Sequence, residues 1–174
     1  MGPTNPPELR SFVRIWRNFP DSWFDKGMKT EIRRLTSAEY LLATPALVDL
    51  YIEAMDYPVN VRAQRISSWR QEALSPGFTA IAAVADDTII GIAYGMLGQL
   101  VRWWDQQLRR ALAMQGGPSK SEKELLQSYF EVAEIHVLPS YQGRGIGARL
   151  LRELLRLAPA KFALLSTPEV EHED

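Results

Sequence analysis

The stretch from Glu134 to Leu151 constrains the fold most. It consists of an apolar run, a glycine-rich turn and the start of an amphipathic helix, in that order. Glycines at positions 143, 145 and 147 let the backbone turn sharply and bring successive N–H groups towards one point. The helix that follows adds unpaired N–H groups and the positive end of its dipole. Two interpretations are open: an anion-binding turn suited to a pyrophosphate, or a turn whose glycines serve only close packing.

The glycine spacing excludes two common nucleotide-binding turns. A P-loop would continue into Gly-Lys-Ser/Thr, and this segment has no such ending. A dinucleotide-binding turn requires G-x-G-x-x-G, whereas the chain has G-x-G-x-G. The segment therefore belongs to some other class of site.

Composition narrows the class of protein. The chain has 174 residues, 46% hydrophobic and 24% charged, as expected of one compact domain. Its net charge of −1 does not indicate binding to nucleic acid or to an anionic membrane, both of which attract strongly basic proteins. It has no cysteine and two histidines, so we expect no disulfide and no metal site. No apolar run approaches the roughly twenty residues of a membrane span, and no signal peptide is evident, so we expect a cytoplasmic protein.

Hydrophobic periodicity predicts alternating strands and helices. Asp86-Asp87 fits a tight hairpin between two antiparallel strands, and Thr44 before Pro45 predicts the start of the first helix. Ser121 with Glu124 fits a capping box for a short helix. The predicted strands are 29–35, 78–85, 88–96, 129–138 and 162–166, and the predicted helices are 45–57, 61–74, 99–115, 122–128 and 147–158.

Residues 1–27 are predicted to form an N-terminal arm outside the domain, which spans 28–174. Four prolines interrupt this segment, and aromatic side chains alternate there with arginines. We expect the aromatics to dock on the domain's own apolar surface, with a membrane surface or a partner as the alternatives.

The segment resembles the signature of the GCN5-related N-acetyltransferase (GNAT) family, an apolar strand followed by Q/R-x-x-G-x-G/A at the start of a helix. Gln142, Gly145 and Gly147 occupy the three fixed positions, and the resemblance extends over about residues 29–166. It implies the α/β (α+β) GNAT fold, with a mixed central sheet, splayed parallel fourth and fifth strands, and flanking helices. Here a helical insertion, 99–128, separates strands three and four.

The resemblance also implies an activity. The chain would transfer an acetyl group from acetyl-CoA to a primary amine of a small-molecule or protein acceptor, by direct attack. In that family the backbone beside the fourth strand pairs with the pantetheine arm, which places Ile135, His136 and Val137 in the cofactor site. The pyrophosphate would be held by Gln142, Gly143, Arg144, Gly145, Ile146, Gly147 and Ala148.

Two glutamates on the fourth strand, Glu131 and Glu134, are the candidate catalytic bases, and the resemblance favours Glu131. Strict alternation would point them to opposite faces of the sheet unless a bulge resets the phase, so we expect only one to face the substrate. A surface or salt-bridge role is the alternative for either. His136 could relay a proton, although a lone strand histidine is more often structural. The N–H of Val137 is a candidate donor to the oxyanion.

The insertion carries an aromatic pair and three arginines. Trp103 and Trp104 are expected on the buried face of their helix, with a substrate wall or a subunit contact as the alternatives. Arg102, Arg109 and Arg110 are expected on the solvated side.

The family continues beyond the fifth strand with a helix and two further strands, so we expect a C-terminally incomplete domain without that helix's catalytic tyrosine. The exposed edge would then be covered by the N-terminal arm or by a second copy in a homodimer. The acceptor is not indicated by any pattern in the chain. A non-catalytic acyl-CoA-binding or sensing module with the same fold is the alternative function.

Overall fold

The computed structural model describes residues 29–166, and the predicted arm lies outside them. Five strands form one sheet in the order β1-β2-β3-β4-β5, antiparallel except for the parallel pair β4–β5. The strands are β1 Glu31–Leu35, β2 Thr79–Ala85, β3 Thr88–Leu97, β4 Tyr129–Val137 and β5 Phe162–Leu164. The helices are α1 Ser37–Met55, α2 Arg62–Glu72, α3 Trp103–Met114, α4 Lys120–Gln127 and α5 Ile146–Leu157. The predicted mixed sheet, its flanking helices and the helical insertion are confirmed.

The sheet is the middle of three layers. α1 and α2 cover one face, where Tyr40, Trp69 and Tyr94 are buried together, while α5 covers the other face through Leu150 and Leu154. β2 and β3 are apolar along nearly their whole length because both of their faces are buried. Within 29–166 no helix is long and apolar enough to cross a membrane.

The start of α1 differs from the prediction. A capping box begins the helix, in which Glu39 N donates to Thr36 Oγ1 at 3.2 Å and Thr36 N donates to Glu39 Oε2 at 2.7 Å. Pro45 therefore lies inside the helix, and the prediction that Thr44 caps it is wrong. The loss of one intrahelical hydrogen bond at Pro45 is outweighed by a well-capped helix with a buried face.

The capping residue of α4 was also misplaced. Ser119 Oγ accepts from Glu122 N at 3.3 Å, and Glu122 Oε2 accepts from Ser119 N at 2.6 Å. The box begins two residues before the predicted pair, Ser121 and Glu124, which fits the same spacing rule.

A buried carboxylate docks the insertion onto the sheet. Asp105, 1% exposed, accepts from Tyr129 Oη at 2.6 Å and from Arg109 Nε at 2.6 Å. Arg109 Nη2 also donates to the carbonyl of Leu126 at 3.1 Å, so α3, α4 and β4 are joined by one polar network. Arg109, expected on the solvated side, has a side chain that is 37% exposed, and its guanidinium also compensates the buried charge of Asp105.

One extra residue interrupts the pairing of β3 with β4. Tyr94 faces Glu134 and Gly95 faces Val132, which leaves Ala133 as a bulge in β4. A side chain at position 95 would not fit, because a Cβ there would lie 2.3 Å from the carbonyl oxygen of Glu131. The bulge therefore lies at a place where the two backbones are unusually close.

β4 extends well past β5. The parallel pairing joins Tyr129, Phe130 and Glu131 to β5, and within the described residues 132–137 have β3 on one edge and no strand on the other. This is the splay that the family resemblance implied. An extended ligand could pair with that edge.

Candidate functional site

The glycine-rich turn forms a cradle of N–H groups at the start of α5. Gly143 and Gly145 have φ of +75° and +76°, a region that favours glycine, and Gly145 is the residue that precedes the helix. Arg149 N donates to Gly145 O at 3.1 Å. The N–H groups of 146–148 precede that bond, so they have no partner within the helix and can face an anion.

Close packing does not account for Gly147. A Cβ at this position would meet only one atom within 4 Å, Cγ2 of Val137 at 3.9 Å, which is ordinary contact. Since the fold leaves space beside this glycine, the packing-only interpretation of the turn leaves it unexplained. A ligand that approaches the backbone here would explain it.

The side chains of the turn have different roles. Gln142 Nε2 donates to the carbonyl of Val137 at 2.9 Å and so ties the turn to the end of β4. Arg144 is exposed, donates to the carbonyl of Ser140 at 3.3 Å, and lies over the ring of Tyr141. Ile146 is buried in the core under α5, so its contribution to the cradle is its N–H alone.

The open edge of β4 presents two of the three predicted strand residues. Leu138 N donates to Ile90 O on β3 at 2.9 Å. By the alternation of a strand, the backbone groups of Val137 and Ile135 point to the opposite edge, while those of His136 point to β3. Ile135 and Val137 can therefore pair with an extended ligand.

The side chain of His136 lies on the sheet face that α1 and α2 cover. Its Nε2 lies 2.5 Å from Glu134 Oε2, and its ring contacts those of Tyr51 and Trp69. His136 is thus a partner of one candidate base and lies apart from the cradle.

Both candidate bases line one open cavity of about 470 Å³ between the sheet, α2 and the insertion. The bulge at Ala133 is the reason, because the extra residue brings Glu134 to the same face as Glu131. Strict alternation is therefore broken by the bulge that the sequence prediction allowed for, and the two glutamates lie on the same face of the sheet. The remaining lining residues are Arg65, Glu72, Arg102, Trp103, Trp104 and Ala133.

Glu131 is 6% exposed and forms a two-point ion pair with Arg102. Arg102 Nε lies 3.0 Å from Glu131 Oε2, and Arg102 Nη2 donates to Glu131 Oε1 at 3.3 Å. Burial raises the pKa of Glu131, and the guanidinium of Arg102 opposes that rise. The prediction that Arg102 is solvated is wrong, and no spacing rule could have found a pair 29 residues apart.

Arg102 has a second carboxylate partner. Its Nη2 lies 3.6 Å from Glu72 Oε1 at the end of α2, and Tyr94 Oη donates to Glu72 Oε2 at 2.5 Å. Burial raises the pKa of Tyr94 well above its usual value, so the phenol remains a donor at neutral pH. Glu72 and Tyr94 therefore connect Arg102 to the core.

The tryptophan pair divides between surface and interior. Trp103 is 64% exposed at the rim of the cavity, so the expectation that it lies on a buried face is wrong. Trp104 packs against Tyr129 and donates from Nε1 to Ser166 Oγ at 3.1 Å. Both rings line the cavity, which is compatible with the alternative of a substrate wall.

Residues 44–170 match the family model described as the acetyltransferase (GNAT) family. A GCN5-like protein acetyltransferase of Mycobacterium tuberculosis is 36% identical over 147 residues, which are 72% of this chain and 71% of the relative. Both findings are sequence similarities, and the residues matched by the family model include the cradle and the two glutamates.

Two solved structures resemble the fold. An aminoglycoside acetyltransferase from an uncultured soil metagenomic sample is 19% identical, with a TM-score of 0.56 over 83% of each chain. A predicted acetyltransferase of Clostridium acetobutylicum, solved with acetyl-CoA, is 12% identical, with a TM-score of 0.54 over 80% of this chain and 82% of the other. At such low sequence identities, these similarities show a shared fold alone.

Substitution of Glu131 and of Glu39 by glutamine is expected to change stability with pH in opposite directions. The pKa of Glu131 is raised by burial, so its ionisation weakens the fold as pH rises from about 4.5 through the folded-state pKa. The pKa of Glu39 is lowered by the N–H of Thr36 and by Arg33, so its ionisation strengthens the fold as pH rises through the lowered folded-state pKa to about 4.5 and adds little above that.

Melting temperatures between about pH 2.5 and pH 8 check this pair, since the Glu39 effect lies below about pH 4.5 and the Glu131 effect above it. Relative to wild type, Glu131→Gln should gain stability as pH rises, whereas Glu39→Gln should lose it. A Glu131→Gln variant that loses stability with rising pH would contradict the account of that carboxyl.

Proposed function

This chain belongs to the acetyltransferase (GNAT) family, and on that premise we propose that it transfers the acetyl group of acetyl-CoA to a primary amine of an acceptor protein. The observation that carries the proposal is the common position of the cradle and the cavity. Both adjoin the stretch of β4, 132–137, that extends past β5. A ligand held at the cradle can therefore reach the two glutamates along one strand edge.

The residues of the turn and of the strand edge fit acetyl-CoA. The N–H groups of 146–148 and the charge of Arg144 suit the phosphates, and the space beside Gly147 lets them approach the backbone. The backbone groups of Ile135 and Val137 suit the amide-containing arm. The thioester supplies an acetyl carbonyl that an amine can attack.

Glu131 is the proposed general base. The acceptor's ammonium group attacks only after it has lost a proton, and a nearly buried carboxylate with a raised pKa at the cavity wall is well suited to accept that proton. The neutral amine nitrogen then forms a bond to the acetyl carbon, the carbon–sulfur bond breaks, and the departing CoA thiolate takes up the second proton that the nitrogen loses.

Glu134 and Trp103 are the proposed acceptor contacts. The carboxylate of Glu134, paired with His136, attracts an ammonium group into the cavity, and the exposed ring of Trp103 borders the entrance. The cavity is open to the surface, as a protein side chain requires. The relative from M. tuberculosis is named a protein acetyltransferase, which supports a protein acceptor over a small molecule.

A non-catalytic acyl-CoA-binding module is the second candidate. The observation that favours it is the ion pair with Arg102, which already engages the proposed base and donates a hydrogen bond to its Oε1. Both functions require the cradle, whereas thiol release that depends on an amine is expected of the enzyme alone.

Substitution of Gly145 by valine should weaken acetyl-CoA binding at least about tenfold. A β-branched residue is strained at φ +76°, so the cradle must change shape. Gly116→Val is the matched control, because Gly116 has φ of +99° in the turn between α3 and α4 and lies far along the chain from the cradle.

Calorimetric titration of acetyl-CoA into both folded variants measures the effect. The Kd of the control for acetyl-CoA should lie within about twofold of the wild-type Kd. A tenfold change in Kd corresponds to about 1.4 kcal/mol of binding free energy, so the two outcomes are easily distinguished. Equal losses in the two variants would contradict the placement of the cofactor.

Substitution of the two glutamates by glutamine should affect different kinetic constants. Loss of a general base lowers kcat by about 100-fold or more, which is the expectation for Glu131→Gln. Glu134→Gln should chiefly raise KM for the acceptor, because it removes a charge that attracts the ammonium group.

Thiol release from acetyl-CoA, measured with short peptides that contain one internal lysine, tests this division. Release without peptide is the background and should be equal in all variants. Wild-type kcat in Glu131→Gln would overturn the base assignment, and a wild-type chain that binds acetyl-CoA without any amine-dependent release would favour the non-catalytic module.

A further inference from the structure

Arg102 connects the insertion to the centre of the cavity. It directly precedes α3, and its guanidinium reaches Glu131 on β4 and Glu72 at the end of α2. The three residues come from separate parts of the chain, so their meeting depends on how the insertion docks. Family signatures in this chain lie between 137 and 151 and do not include Arg102.

The contact with Glu131 fixes the carboxylate in orientation as well as in charge. Nη2 of Arg102 donates to Glu131 Oε1 at 3.3 Å, and Nε lies 3.0 Å from Oε2 as an ion-pair contact that lacks hydrogen-bond geometry. Together the two contacts hold the carboxylate beside the guanidinium. The Arg102 side chain is 21% exposed and that of Glu131 8%, so solvent screens the pair only weakly.

Other residues of the insertion stabilise the position of Arg102. Asp105 lies one turn further along α3 and is anchored by Tyr129 Oη and Arg109 Nε, both at 2.6 Å. Glu72, itself bonded to Tyr94 Oη, supports the other side of the guanidinium. The backbone and the head group of Arg102 are thus both fixed.

We propose that Arg102 is a positioning residue that orients Glu131 and keeps its carboxylate ionised for proton abstraction. This inference rests on the proposed function, in which Glu131 is the base. Burial alone favours the neutral carboxylic acid, which cannot accept a proton, and a fixed positive charge within 4 Å offsets that cost. The insertion thereby contributes to catalysis without contacting the reacting atoms.

Other charged and titratable groups lie near Glu131, and they are the same in wild type and in every Arg102 variant. The acidic neighbours Glu72 and Asp105 disfavour ionisation of Glu131, so replacement of Arg102 removes the positive charge that opposes them. The other titratable or charged groups around it are Arg65 and Glu72 on α2, Tyr94 on β3, Tyr129, Glu134 and His136 on β4, and Asp105 on α3.

The direct test is NMR titration of the Glu131 side-chain carboxyl carbon, assigned by comparison with Glu131→Gln. In Arg102→Met the midpoint should move upward by about 1 to 3 pH units, the range expected for an opposite charge at this distance. Arg102→Lys keeps the charge and should stay near wild type. Arg110→Met, which removes an exposed arginine of α3, should leave the midpoint unchanged.

The kinetic test is the dependence of kcat/KM on pH, measured for a lysine peptide on the acidic side (the acidic limb) of the profile. The same peptide is used with every variant, so titration of the peptide's own lysine affects all the profiles equally. Arg102→Met should move that limb upward together with the NMR midpoint and recover activity at higher pH. Arg102→Lys should restore the wild-type limb. A merely structural role would instead lower activity equally at every pH.

An unmoved Glu131 midpoint in a folded Arg102→Met variant would overturn the inference, as would an equal loss of activity across pH. Failure of the proposed function is recognised separately, because Glu131→Gln would then retain wild-type turnover. The NMR titration needs neither cofactor nor acceptor, so it decides whether Arg102 holds Glu131 in either case.

Discussion

A single extra residue in β4 determines which side chains the sheet presents to the cavity. With regular alternation, Glu131 and Glu134 would lie on opposite faces, and one would point towards α5. The bulge at Ala133, opposite the close approach at Gly95, brings both carboxylates to the same side. Every feature of the proposed acceptor site depends on that change of phase.

The site also illustrates a conflict between stability and function. Glu131 and Asp105 are carboxylates in almost fully buried positions, where an unpaired charge is costly. Arginines compensate both, through the pairs Arg102–Glu131 and Arg109–Asp105. Asp105 serves to dock the insertion, whereas Glu131 remains at a cavity wall where an amine can reach it.

The sequence was sufficient for the fold and for the cradle, because both depend on local patterns. Alternating glycines, the helix of 146–157 and the Asp86-Asp87 hairpin are readable within a few residues. The capping residues Thr36 and Ser119 were missed because Thr44 and Ser121 fit the same local rules, and α3 begins four residues after its predicted start. The role of Arg102 was missed because a pair 29 residues apart has no sequence signal and requires the docked insertion.

A crystal structure of the chain with CoA is the measurement that tests the central claim, that cradle and cavity are two ends of one site. We predict phosphate oxygens within about 3 Å of the N–H groups of 146–148, and a thiol that opens into the cavity beside Glu131. Phosphates bound elsewhere, or a thiol on the side of the sheet away from Glu131, would contradict the account.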